Sequence, residues 1–165
     1  MPVHFVAQTR AIVRQAEQEA AQAGSPLIEA EHMLLAMSGE HGLEARDVLA
    51  SAGLDRDGIR AALDREFRHS LAAAGVTLPP GGLPAASRDP GRRAHLATSA
   101  KLVLERALKS SAGRGQIRPG HLLLGVLAAQ AGTVPRALAL AEVDPGDLTA
   151  RTRQALEQGG VSPEG

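Results

Sequence analysis

The spacing of apolar residues along the chain predicts a succession of helices. In residues 5–23 the apolar side chains recur at intervals of three and four, which places them on one face of an amphipathic helix. A Gly-Ser-Pro sequence at 24–26 ends this segment. The following run at 33–37 is apolar all round, so it predicts a buried helix, and we expect that helix to begin near Glu29.

Two more helices are predicted before the helical pattern breaks. Residues 43–52 predict a short helix closed by Gly53, because glycine is the usual residue just past a helix C-terminus. Asp55 or Asp57 is expected to cap the next helix, which continues through Phe67. The first part of the chain therefore predicts four helices.

A segment rich in proline and glycine, residues 75–92, predicts a linker. Helical periodicity returns at Leu96 and continues to about Ser111. The last residues, 159–165, are polar and predict a disordered tail.

The sequence contains an internal repeat. The segment EAEHMLLAM at 29–37 aligns with RPGHLLLGV at 118–126, so that His32 falls on His121, and the offset of 89 persists downstream. Upstream the offset is 91, which aligns Phe5 with Leu96. We therefore predict an all-α fold of two pseudo-twofold-related four-helix repeats packed into one globular domain. The predicted units are repeat 1 at 1–74 and repeat 2 at 93–158.

Composition supports a helical protein and excludes several classes of function. Hydrophobic residues make up 44% of the 165 residues and aromatic residues 1%, so the core must be built from aliphatic side chains. The absence of cysteine excludes disulfides and thiolate metal sites. A formal net charge of zero argues against a strongly electrostatic nucleic-acid or membrane-surface binder. With no membrane span or leader evident, we expect a cytoplasmic protein.

The residues that could carry chemistry do not form a catalytic or metal-binding pattern. The six histidines lack H-E-x-x-H spacing, and no G-x-S-x-G motif marks an activated serine. The phosphate loop G-x-x-x-x-G-K-[ST] is also missing, which excludes ATP hydrolysis by these residues. We therefore predict no enzyme activity, no cofactor and no metal. His32 and His121 are interpreted as residues that cap or brace helix N-termini.

The duplicated order of features resembles the Clp N-terminal double repeat, the Clp R domain, of ClpC-type unfoldases. Each copy has an Ala-rich first helix, an H-x-L-L segment, a short helix and an [LV]-D pair before the last helix. The chain looks like such a domain without the ATPase modules. The resemblance implies a non-catalytic module that binds protein or peptide ligands, among them a Clp ATPase or its substrates and adaptors.

A ligand groove is the site that the resemblance implies. We expect the first helices of the repeats, 5–23 and 96–111, to lie side by side and frame it. In relatives an apolar surface there also binds cyclic-peptide antibiotics. Phe5, Leu104 and Leu108 have an alternative role in packing the two halves together. The predicted groove residues are Phe5, Arg10, Glu31, Leu96, Lys101, Leu104, Glu105 and Leu108.

Family members also recognise phosphorylated arginine, through a Glu before each repeat histidine and a Thr near the start of each first helix. Glu31 matches the first acidic position, but Gly120 stands at the second. Val6 and Ala97 stand where the threonines are expected. Because a lost charge-assisted hydrogen bond typically costs about 1.5–3 kcal/mol, these residues argue against phosphoarginine recognition.

Three roles follow from the resemblance, and the residues do not choose among them. The resemblance implies that the chain docks substrates or adaptors for a Clp protease complex, or that it competes with the unfoldase for them. As an alternative it is a decoy that sequesters cyclic peptides. A helical nucleic-acid-binding regulator is the second alternative.

Overall fold

Eight helices and four two-residue strands make up the described part of the chain. The structure is a computed structural model that describes residues 4–77, 94–112 and 115–159. In chain order the elements are β1 (His4–Phe5), α1 (Ala7–Gln22), β2 (Leu27–Ile28), α2 (Ala30–Met37), α3 (Leu43–Ser51), α4 (Arg56–Ala73), β3 (His95–Leu96), α5 (Thr98–Ser110), β4 (Gln116–Ile117), α6 (Pro119–Leu127), α7 (Thr133–Leu140) and α8 (Pro145–Gly159). The all-α prediction with two four-helix repeats is confirmed.

Local signals set several of the helix ends. Asp55 is the N-cap of α4, and its carboxylate accepts a hydrogen bond of 2.8 Å from the Gly58 N–H. Gly53 follows α3 with φ of 75°, a left-handed conformation that glycine adopts without strain. Both ends agree with the sequence-based expectation.

The four short strands were not predicted, and they tie the repeats together. β1 pairs in parallel with β4, which places Phe5 opposite Ile117, and β2 pairs in parallel with β3, which places Ile28 opposite Leu96. Phe5 and Leu96 therefore lie in strands, and the prediction that they belong to the first helices is wrong. Pairing between segments so distant in sequence leaves no trace in local periodicity.

The second helix of each repeat forms the centre of the molecule. α2 and α6 contact each other, α1 packs on α2, and α5 packs on α6. Met33, Met37, Leu122 and Leu123 on the two central helices are fully buried. Each such side chain contributes about 1.5–3 kcal/mol through removal from water. The expectation that the first helices lie side by side is wrong, because each packs on its own central helix instead.

The two repeats also interlock through their later helices. α3 packs on α6 and α8, and α4 packs on α7. Two ion pairs cross between repeats, with Nε–Oε1 distances of 2.9 Å for Arg136–Glu66 and 3.3 Å for Arg118–Glu44. Both carboxylates are buried, so these pairs fix how one repeat sits on the other.

A glycine allows the close approach of α5 and α6. A Cβ atom at Gly125 would lie 2.5 Å from the Val103 carbonyl oxygen. Because that oxygen belongs to the α5 backbone, a side chain cannot be accommodated there without moving the helix. Ala36 holds the corresponding position in the first repeat, so the two repeats are packed differently here.

Part of the predicted domain organisation stays a prediction. Residues 78–92 of the predicted linker and 160–165 of the predicted tail lie outside the described residues. α4 ends at Ala73 and β3 begins at His95, while α8 includes Gly159. Among the described helices, none combines the length and the apolar character that crossing a bilayer requires.

Candidate functional site

The two repeat histidines cap helices. Nδ1 of His32 accepts a 2.9 Å hydrogen bond from the Glu29 N–H, and Nδ1 of His121 accepts one of 2.9 Å from the Arg118 N–H. Burial lowers the pKa of His32, although Glu29 and Glu19 act in the opposite direction. The neutral ring keeps Nδ1 as an acceptor. The interpretation of these histidines as N-terminal capping residues is confirmed.

Four predicted groove residues lie on the outer side of α5. Lys101, Glu105 and Leu108 are exposed and follow i, i+4, i+7 spacing, so they share one side of the helix. Leu104 lies beside them, half-buried against the core. Leu108 is 49% exposed, so it does not pack the two halves together. We refer to Lys101, Leu104, Glu105 and Leu108 as the α5 face.

Phe5, Leu96 and Arg10 lie where the first helices begin. Phe5 in β1 and Leu96 in β3 are half-buried against the core and hold corresponding positions in the two repeats. The Arg10 guanidinium donates a 2.7 Å hydrogen bond to the Phe5 carbonyl oxygen. Leu96 precedes the α5 face directly in the chain, whereas Phe5 and Arg10 belong to the other repeat.

Glu31 lies apart from the α5 face. It lines a cavity of about 380 Å³ together with Glu29, Ser99 and Leu102, and Arg136 of α7 lines the same cavity. Burial, a hydrogen bond with Glu29 and the charges of Glu29 and Glu66 raise the pKa of Glu31 to about 8, against the lowering effect of Arg136. At neutral pH this acid keeps its proton. Sequence reasoning did not predict this, because the burial of Glu31 depends on helices that are distant in the chain.

The second acidic position is closed by packing. A Cβ atom at Gly120 would lie 2.7 Å from Leu156 Cδ2 and 3.1 Å from Glu44 Cγ. Glu44 Oε1 also lies 3.3 Å from the Gly120 nitrogen, from which it accepts a hydrogen bond. A glutamate at this place would therefore require the side chains of Leu156 and Glu44 to move.

The starts of the first helices lack hydroxyl groups. Val6 is the N-cap of α1 and Ala97 is the N-cap of α5, and neither makes a side-chain capping bond. These are the positions where the resemblance predicts threonines. Together with the closed position at Gly120, they leave Glu31 as the only one of the four expected phosphoarginine contacts that this sequence carries.

The described residues do not contain a group of side chains that could bind a metal ion. Within residues 4–77, 94–112 and 115–159, no three acidic or histidine side chains are grouped so that they could hold a metal ion.

The fold is a duplicated helical repeat module, with four helices in each repeat. The model of the Clp repeat (R) N-terminal domain matches residues 4–110. The chain belongs to this family. No curated protein sequence matches the chain.

Solved structures show the same fold. The N-terminal domain of the caseinolytic protease associated chaperone ClpD from Arabidopsis thaliana is 19% identical, with a TM-score of 0.64 over 93% of this chain and 94% of that chain. The Hsp104 N-terminal domain from Candida albicans is 17% identical, with a TM-score of 0.64 over 95% of this chain and 93% of that chain. At this identity the likeness establishes the architecture alone.

Proposed function

We propose that this protein binds polypeptide segments without catalysis, and that it docks substrates or adaptors for a Clp protease complex or competes with that complex for them. Membership of the Clp repeat family supports an interaction module. The observation that carries the proposal is the α5 face, where Leu108 is 49% exposed between charged residues. Exposed apolar side chains with a charged rim are typical of protein interaction sites.

Leu96, Phe5 and Arg10 extend this surface in the proposal. Phe5 and Leu96 lie in paired strands, which hold their backbones in place, and both side chains are partly buried against the core. Rigid apolar side chains lose little conformational entropy when a ligand covers them. Lys101 and Glu105 of the α5 face supply both signs of charge and thereby favour polar peptides over purely apolar ones.

A pull-down from cell lysate tests the proposal. Phe5→Ala/Leu96→Ala and Lys101→Glu/Leu108→Asp are each expected to recover markedly less of the partners bound by the wild type, because they remove apolar contact area or reverse charge. The second variant changes exposed positions only, so its fold should be unaffected.

Phe67→Ala is the matched control, since Phe67 is 44% exposed on α4, away from the α5 face. It should recover the wild-type partners. If both double variants recover the same partners in wild-type amounts, the assignment of the surface is wrong. A decoy for cyclic peptides, the alternative role, predicts instead that a cyclic peptide binds the wild type and displaces no protein partner.

A further inference from the structure

A cavity of about 650 Å³ lies between α5, α6 and α8, away from the α5 face. Among the described residues its charged lining is predominantly cationic: Arg106 and Lys109 come from α5 and Arg153 comes from α8, against the carboxylate of Glu157. The capping His121 also lines it. Its apolar floor is formed by Leu124, Ala128 and Leu156. We call it the α5–α8 cavity.

The three cations lack ion-pair partners in the described part of the chain. Arg106 makes one long contact of 3.5 Å with the Gly125 carbonyl oxygen. Like charges that share a cavity repel one another and cost free energy unless an anion joins them. Lys109 and Arg153 are exposed, so water screens this repulsion, but the cavity still presents an uncompensated positive charge to a ligand.

The first repeat shows that this charge is not required by the fold. The corresponding cavity, about 360 Å³ between α1, α2 and α4, contains Glu19, Glu31 and Arg60. At the offsets of the repeat, Gln15, Gln18 and Asp64 hold the positions of Arg106, Lys109 and Arg153. Each cation of the second repeat thus replaces an amide or an acid, while the capping histidine is kept in both.

The lining specifies the chemistry of a ligand. The hydroxyls of Ser110 and Thr149 already donate to the backbone oxygens of Ala107 and Pro145. Free donors come mainly from the guanidinium and ammonium groups, so the ligand must offer anionic oxygen acceptors, which the planar arginine fork binds well. The apolar floor requires an aliphatic portion beside them. A volume of this size is typical of ligand clefts.

We propose that the α5–α8 cavity docks an acidic segment of a partner polypeptide, whose carboxylates contact the three cations while an aliphatic side chain rests on the apolar floor. This proposal deepens the polypeptide binding proposed above and depends on it, but it concerns a second surface. A single-stranded nucleic acid fits less well, because none of the described residues that line the cavity is a Phe, Tyr or Trp on which bases could stack.

Fluorescence anisotropy with a labelled peptide of alternating Glu and Leu tests this inference. The wild type is expected to bind the peptide, with affinity that falls as salt rises. Arg153→Glu should weaken binding about tenfold or more, and Arg153→Gln should weaken it less, because reversal adds repulsion to the lost contact. Circular dichroism checks that each variant is folded.

The control is Arg46→Glu, a charge reversal at an exposed position on α3, which should leave the peptide affinity unchanged. A matched Lys-Leu peptide should not bind. The proposal is overturned if the acidic peptide fails to bind, if Arg153→Glu binds it as tightly as the wild type, or if a single-stranded oligonucleotide of equal charge binds more tightly than the peptide.

The two tests fail separately. The first case is that the peptide does not bind the wild type, while Lys101→Glu/Leu108→Asp loses partners in the pull-down. This result supports the proposed function and rejects the cavity as a binding site. Partners retained by both α5-face double variants but lost by Arg153→Glu reject the α5 face and support the cavity.

Discussion

Arg56→Met is expected to lower the free energy of unfolding by about 3–5 kcal/mol, because it leaves a buried carboxylate without its partner. The Glu19 side chain is 2% exposed, and Arg56 meets it with two hydrogen bonds of 2.5 and 2.9 Å. Without Arg56, the side-chain hydrogen bond to Glu19 that remains is the one of 3.1 Å from Gln15. Chemical denaturation of the two proteins at pH 7 measures the loss.

The pH dependence of this loss identifies its cause. Burial raises the pKa of Glu19, but hydrogen bonds from Arg56 and Gln15, together with the positive charges of Arg56 and Arg60, leave the pKa lowered. A lowered pKa in the folded state gives stability above the ordinary value of 4.5, and that stability is lost as pH falls through the folded value. The difference between wild type and Arg56→Met should therefore shrink in acid.

A double variant is the control for the ion pair. Glu19→Leu/Arg56→Met should recover most of the stability lost by the single variant, because no charge remains buried. The second repeat supports this expectation, since Ser110 and Pro145 hold the corresponding positions there. A double variant as unstable as Arg56→Met would show that packing around Arg56, and not the stranded carboxylate, causes the loss.

The wild type is expected to become less stable as pH rises. Glu31→Gln is expected to abolish this decrease in stability. The pKa of Glu31 is raised from 4.5 to about 8 by burial and by Glu29 and Glu66. Between these values the unfolded chain has released the proton and the folded chain keeps it, so increasing pH disfavours folding by at most about 1.4 kcal/mol per pH unit. Glutamine mimics the protonated acid at every pH.

Thermal unfolding of both proteins from pH 5 to pH 9 measures this effect. The melting temperature of Glu31→Gln should exceed that of the wild type by a margin that grows up to about pH 8 and then levels off. Glu105→Gln, at an exposed position of the α5 face, should follow the wild type throughout. A constant difference between Glu31→Gln and the wild type across this range would contradict the raised pKa.

The sequence predicted those features of the fold that local patterns encode. Helical periodicity placed α2, α3 and the start of α4 within a residue or two, although α4 continues six residues beyond Phe67 to Ala73. An aspartate and a glycine located the Asp55 cap and the end of α3. The repeat predicted that His32 and His121 have the same role, because corresponding positions in the two repeats have the same backbone geometry.

Features that join distant segments were not predicted. The strands at Phe5 and Leu96 exist because each pairs with a segment of the other repeat. The cavity beside Arg153 combines residues of α5 and α6 with residues of α8, and the whole of α7 lies between α6 and α8 in the chain. The positive charge of this cavity can nevertheless be predicted from the sequence. When the repeats are aligned position by position, three cations of the second repeat have no basic counterparts in the first repeat.

Site-specific photo-crosslinking tests the central claim most directly, namely that polypeptides bind at the α5 face. The photoreactive residue p-benzoylphenylalanine is placed at position 108 in one protein and at position 67 in another, both of which are exposed in the native chain. Irradiation in cell lysate should give discrete protein adducts from position 108 and few from position 67. Adducts from position 67 alone, or equal adducts from both, would contradict the account.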